Sequence, residues 1–214
     1  MMKKFFLFLL ATLAIFGVSA QSDKYESTMQ KYLAGMDSSF RSTASLIALA
    51  NNFERIAVAE KNQWLPYYYA AFLQVNAGFI GQDASKMDEY ADKAEKLINT
   101  ADSLEKNNSE ISCIKSMIAS SRLMADPMTR YMEYGPLSTS YLDQAIKLDE
   151  SNPRPYLLKG QGIRYTPEQF GGGCEPAKPQ LTLAMEKFTS FKPASALHPN
   201  WGEFMIRRLL EECK

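Results

Sequence analysis

The chain contains one histidine, His198, which is the first candidate for acid–base chemistry. Beside a carboxylate such as Glu203 or Glu212, an imidazole could act as a general base. His198 stands in a predicted loop between Leu197 and Pro199, where a lone histidine is more often structural or solvated. We therefore assign no catalytic residue from this position.

Three consecutive glycines, 171–173, precede a predicted helix and could cradle an anion at its N-terminus. The loop itself has no lysine, and glycines equally favour a tight turn with positive φ. The sequence contains no zinc-protease, CxxC, nucleophile-elbow, Walker or EF-hand motif. It therefore predicts no catalytic site, no metal site and no cofactor. The carboxylates Asp88, Glu89, Asp92 and Glu95 are interpreted as a solvated helix face.

The overall composition is that of a globular protein, with 46% hydrophobic and 22% charged residues. Lys plus Arg and Asp plus Glu both number 24, and this balance argues against a nucleic-acid partner.

The N-terminus has the pattern of a signal peptide, predicted over residues 1–20. Lys3 and Lys4 precede an uncharged apolar run over 5–18, and Val18-Ser19-Ala20 offers small residues for cleavage before Gln21. The alternative is a membrane anchor, which normally needs about 20 apolar residues. Cleavage would remove both lysines and leave a formal charge of 22 − 24 = −2. No second apolar run of spanning length follows, so we expect a soluble periplasmic or secreted protein without an integral membrane segment.

The rest of the chain is predicted to be all-α. Apolar residues recur every three or four positions between turn signals, and no run alternates with period two. The predicted helices are 25–39, 43–61, 65–80, 84–106, 109–125, 136–150, 154–165, 175–190 and 200–213.

A small–large–small spacing recurs in successive helices and predicts stacked helical pairs. It is seen as Ala94, Ile98, Ala101; as Ser138, Leu142, Ala145; and as Ala177, Leu181, Ala184. Small residues allow a second helix to approach closely, and the large residue fills the groove between the helices. Stacked pairs then share one continuous core.

The last third of the chain resembles the tetratricopeptide repeat. Tyr156, Gly160 and Ile163 have the spacing of its first helix, and the segment 145–156 is similar to the junction between two repeats. The period is longer than the family's, and residues 166–174 form an insertion. This insertion and the segment 199–202 look like those of small exported bacterial tetratricopeptide-like proteins of unassigned function.

The resemblance implies an α-α superhelix of about four pairs plus a terminal helix. It covers residues 43–213, so we expect an N-terminal helix within 21–42 and a repeat domain over 43–214.

Family geometry also implies which side chains would line a concave groove for a protein or peptide partner. These are Tyr69, Leu73, Asn76, Leu157, Gln161 and Arg164. The alternative is that the tyrosines of the Tyr67-Tyr68-Tyr69 cluster pack between helices, with their hydroxyls at the surface.

The predicted function is an exported, non-enzymatic protein- or peptide-binding module. The alternative is a small-ligand binder, or a hydrolytic enzyme whose scattered Glu, Tyr and Arg leave no motif.

Two further predictions concern the C-terminal region. If the last two helices pack antiparallel, Cys174 and Cys213 come close enough for a disulfide, although both could instead be free thiols. Cys113 is interpreted as a buried small hydrophobe. Trp201, after a possible helix cap at Asn200, is predicted to cover the last helical pair.

Overall fold

The computed structural model describes residues 23–214, so the predicted signal peptide and its cleavage site lie outside the described residues. The described chain is all-α, as predicted, and contains ten α-helices and no strand. The helices are α1 (23–33), α2 (Met36–Ser39), α3 (Thr43–Ala59), α4 (Trp64–Gly81), α5 (Ala84–Leu104), α6 (Ser109–Ala125), α7 (Pro127–Leu148), α8 (Arg154–Tyr165), α9 (Cys174–Ser190) and α10 (Glu203–Glu212).

Side-chain caps fix the start of several helices. The side chain of Ser42 accepts a hydrogen bond from the Ser45 amide at 3.2 Å, and Asn108 accepts bonds from two amides of the first turn of α6. The side chains of Asp83 and Asp126 each accept a hydrogen bond from one backbone amide in the first turn of α5 and α7, respectively. Each cap satisfies backbone donors that a helix leaves without an intrahelical partner.

Consecutive helices from α3 to α10 pack against one another, and the small–large–small positions lie in the contacts. Almost all of these side chains are buried, and Ser138 is the half-buried exception. Gly160 of α8 faces Leu181 of α9 so closely that a side chain on Gly160 would overlap it. This packing confirms the predicted all-α class of stacked helices.

One predicted helix boundary is wrong by nine residues. The helix expected over 136–150 is α7, which begins at Pro127 and has Pro136 in its interior. Asp126 caps the true start, and a proline at the first helical position costs no hydrogen bond. Pro136 lies on the exposed side, where the helix tolerates the missing amide.

Both ends of the described chain also differ from the prediction. The helix expected over 25–39 is divided into α1 and α2 by a turn at residues 34–35. The last helix begins at Glu203, and its N-cap is Gly202 with φ +113°, not Asn200. A side chain at Gly202 would overlap Phe188 and Leu157, so only glycine fits this turn.

The carboxylates on the acidic face of α5 are exposed or, at Asp88, half-buried, and three of them are also ion-paired. Arg122 contacts Asp92 at 2.8 Å and Glu95 at 2.7 Å, and Arg130 binds both oxygens of Asp88. Hydrogen bonds from Arg130 hold the pKa of Asp88 below its usual value. These ion pairs fasten α5 to the end of α6 and the start of α7.

Within residues 23–214, no helix has the length and apolar content needed to cross a bilayer.

Candidate functional site

A buried polar network joins the starts of α4, α6 and α8. Arg154 is fully buried and donates to Glu110 Oε1 at 2.8 Å, and the Tyr68 hydroxyl donates to Glu110 Oε2 at 3.1 Å. Burial raises the pKa of Glu110, and the positive charge of Arg154 opposes that shift. Because the network uses the first turns of α6 and α8 and the second turn of α4, these three helices run in the same direction.

The segment 191–202, which we call the strap, crosses this network. The Tyr69 hydroxyl donates to the carbonyl of Leu197 at 2.8 Å, and Arg154 donates to the carbonyl of Pro199 at 2.5 Å. The Trp201 indole donates to the Tyr68 hydroxyl at 2.8 Å. The strap is therefore bound to the side of α4 and α8 that the sequence predicted to be a groove.

The strap and the helices leave little of that predicted groove exposed. The side chains of Tyr69, Leu73 and Leu157 are at most 3% exposed, and Asn76 is buried and donates to Phe72. The remaining two positions, Gln161 and Arg164, are half-buried. A partner could reach the four buried residues only by displacing the strap or the helices. Contact with a partner in the groove therefore remains a prediction only for Gln161 and Arg164.

His198 lies in the strap and contacts residues of the strap and of α4. Its Nδ1 shares a hydrogen bond with Ser195 Oγ at 2.8 Å, and its ring meets Trp64 edge-on. Partial burial lowers the pKa of His198, and the charge of Glu105 opposes this shift. No ion pair or hydrogen bond joins His198 to Glu203 or Glu212 among the described residues.

Trp201 does not simply cover the last helical pair. Its ring stacks on Phe72 of α4 with centroids 4.7 Å apart, and the Arg154 guanidinium lies 5.3 Å from its centroid. It packs against both hydrophobic cores of the described chain, one built mainly from α1 to α6 and one from α8 to α10.

The glycines at 171–173 lie in a turn, and two of the three cysteines form a disulfide. Gly171 and Gly173 have φ values of +82° and +100°, the positive φ that the turn interpretation expects. Cys174 and Cys213 are joined by a disulfide, with Cα atoms 5.1 Å apart. Cys113 is buried and unbridged, and burial raises the pKa of its thiol.

Exposed apolar side chains concentrate at the edge of the molecule opposite the buried polar network. At this edge α6 and α8 end and α7 begins. Among residues 23–214, twelve large apolar side chains are exposed, and six of these lie on this edge. We call this group the rim. It consists of Met124, Met128, Tyr131, Met132, Tyr165 and Phe170. Exposed apolar side chains on one edge are candidate contacts for a ligand.

Unequal helix lengths create the rim. Lys159 of α8 pairs with Asp143 of α7 at 2.5 Å, and the helices are antiparallel. At about 1.5 Å per residue, Tyr165 at the end of α8 is therefore level with residue 137 of α7, and the first ten residues of α7 extend roughly 15 Å further. Within this extension Met128 is 93% exposed and Met132 is 81% exposed.

The rim offers oxygen and sulfur ligands beside a cation. Tyr131 and Tyr165 carry phenol groups, and the rim methionines carry thioethers, which are soft and polarisable. Arg164 precedes Tyr165, and its Nε is buried without a hydrogen-bond partner among the described residues. Among residues 23–214, no group of three or more His, Cys, Asp and Glu side chains could hold a metal ion.

Stacked helices, a strap and an apolar rim define an all-α protein built from consecutive helical pairs. The HusA haemophore from Porphyromonas gingivalis has this fold, with a TM-score of 0.79. Its sequence is 35% identical to this chain, and the match covers 89% of this chain and 92% of HusA. The chain belongs to the family of HusA. No protein-family model and no curated protein sequence matches the chain.

Sequence reasoning did not find the rim. Polar residues and breaks separate most of its members along the chain, so they do not form a continuous apolar run. The available signal was the excess of Met and Tyr over 124–134, but it was hidden by the wrong start assigned to α7.

Proposed function

We propose that the protein binds a flat, apolar ligand of the haem or porphyrin class at the rim. The observation that carries the proposal is the family relationship: a haemophore is 35% identical over nearly its whole length. This supports the small-ligand alternative from the sequence more strongly than the peptide-binding module. The strap supports the same choice, because it occupies much of the face that a peptide would need.

The residues of the rim suit such a ligand. Tyrosine and methionine are known iron ligands in haem proteins, and exposed thioethers adapt to a flat apolar surface. His198 interacts with Trp64 at the start of α4, on the opposite edge, so a ligand at the rim would meet Tyr131 or Tyr165 instead. A propionate group carries a negative charge that Arg164 could pair with.

We propose no catalytic step, and the rim needs none to bind a ligand. We also propose that the protein is exported after cleavage before Gln21, which N-terminal sequencing of the secreted protein would test. We also propose that the helical pairs are of the tetratricopeptide-like kind.

Titration of the mature chain with haemin, followed by the Soret absorbance, tests the proposed site. The double variant Tyr131→Ala, Met132→Ala should lower the affinity by about tenfold or more, because it removes both a phenol ligand and apolar contact. Phe204→Ala is the matched control, since Phe204 is 80% exposed on α10, away from the rim. It should change the affinity by less than about twofold.

The His198→Gln variant gives an independent measurement. If Tyr131 or Tyr165 supplies the iron ligand, this variant keeps the Soret spectrum of the wild type. A haem affinity that depends on Phe204 or His198 and not on the rim would contradict the proposed site. The absence of any saturable haem binding would contradict the proposed function.

A further inference from the structure

A recess lies between α1 and the C-terminal half of α3. Its volume is about 520 Å³, within the usual range for small-molecule sites. The residues that matter to its chemistry are Lys24, Tyr25, Tyr32, Arg55, Ile56 and Glu60. Since α3 ends where α4 begins, the recess lies towards the edge of the buried network and away from the rim.

Tyr25 places an unsatisfied donor in this recess. Its hydroxyl oxygen is buried and has no hydrogen-bond partner among the described residues. Burial, followed by the charges of Glu60 and Glu26, raises the pKa of Tyr25 to about 12, so the hydroxyl stays protonated at physiological pH. A buried donor without an acceptor costs free energy, and a ligand that supplies the acceptor removes that cost.

The walls combine apolar surface with charged side chains of both signs. Tyr32 packs against the core and meets Phe53 edge-on, and Ile56 is buried, so one side of the recess is apolar. Lys24 and Arg55 bring two positive charges and Glu60 one negative charge, and the negative charge of Glu26 also reaches Tyr25. Arg55 also donates to Asn52, which holds the guanidinium at the recess.

We propose that this recess binds a small organic carboxylate with an apolar body. The carboxylate accepts the hydrogen bond of Tyr25 and lies near Lys24 and Arg55, while the apolar body contacts Tyr32 and Ile56. The site is separate from the rim and does not depend on the proposed haem function.

Isothermal titration of the mature full-length chain with phenylacetate tests the proposal, with uncharged phenylacetamide as the matched probe. Phenylacetate should saturate one site, and phenylacetamide should bind about fivefold more weakly or worse. Tyr25→Phe and Arg55→Gln should each weaken phenylacetate binding by about fivefold or more. Arg41→Gln, an exposed change outside the recess, should have no effect.

Two further measurements separate the outcomes. Tyr25→Phe should unfold at or above the wild-type temperature, because the substitution removes an unsatisfied hydroxyl, so a lost affinity would not reflect lost folding. Haemin titration of the same variant should match the wild type. The proposal is overturned if phenylacetate does not saturate, or if Tyr25→Phe and Arg55→Gln bind it as the wild type does.

Discussion

Arg154 is the charged side chain on which most of the strap depends. It is fully buried, pairs with Glu110, donates to the strap at Pro199, and lies 4.8 Å from the ring centroid of Phe191. A buried charge is costly unless its partners replace the lost hydration, and here aromatic rings, a carboxylate and a carbonyl do so. Its position implies that the strap belongs to the folded core.

Replacing Arg154 should therefore destabilise the protein strongly. Arg154→Met should lower the free energy of unfolding by about 3–5 kcal/mol, because it leaves Glu110 buried without its cation. Urea denaturation measures this difference. Arg207→Met is the matched control, since Arg207 is exposed and pairs with Glu203 on its own helix; we expect a change within about 0.5 kcal/mol.

The double variant Glu110→Gln, Arg154→Met provides a further check. It should recover part of the loss, because the uncompensated carboxylate is then absent. If Arg154→Met unfolds at the same urea concentration as Arg207→Met, the network contributes nothing to stability.

At the scale of helices, the close contact between α8 and α9 depends on glycine at position 160, which has no side chain. A Cβ atom built on Gly160 would lie 2.5 Å from Leu181 Cδ2 and 3.3 Å from the Leu181 backbone nitrogen. Gly162, one residue beyond Gln161, has nothing within 4 Å of the same position. The two glycines of α8 thus differ in packing while sharing the same helical backbone.

This difference predicts opposite effects for one substitution. Gly162→Ala should stabilise the protein by about 0.5–1 kcal/mol, because alanine loses less conformational freedom in a helix. Gly160→Ala should destabilise it by about 1–3 kcal/mol, because the added methyl group forces α8 and α9 apart. Thermal unfolding of both variants is the measurement, and equal shifts of the same sign would contradict the close approach at Gly160.

The sequence predicted the helices and their buried faces better than it predicted the residues at which the helices begin and end. The spacing of Ala177, Leu181 and Ala184 indicated a helix face that is fully buried, because helical periodicity is a local property. The start of α7 does not follow from the sequence pattern, because Gly135-Pro136 normally breaks a helix, whereas here Asp126 caps a helix that continues through Pro136. The strap could not be found at all, because the contact between Tyr69 and Leu197 spans 128 residues.

The whole molecule has two hydrophobic cores, and Trp201 packs against both. The strap that carries Trp201 lies within the stretch closed by the disulfide between Cys174 and Cys213, which are 39 residues apart. The smaller core, built from α8 to α10, thus has a covalent link that the larger core lacks within the described residues. A small core buries little apolar surface, so such a link is a common means of stabilising it.

Removing the disulfide should therefore weaken the C-terminal part of the molecule more than the rest. The double variant Cys174→Ser, Cys213→Ser should lose about 2–4 kcal/mol of stability, mainly because the unfolded chain regains freedom. Hydrogen exchange should become faster in α10 and the strap, and stay unchanged in α3 to α5, whose core does not include the bridge. Cys113→Ala, which removes a buried but unbridged thiol, is the control and should leave exchange in the strap near the wild-type rate. Peptide mapping of the wild type without reductant first establishes that the bridge is present. Separate Cys174 and Cys213 peptides would show that the strap is held without a covalent link. Equal hydrogen exchange in the double variant and in Cys113→Ala would show the same.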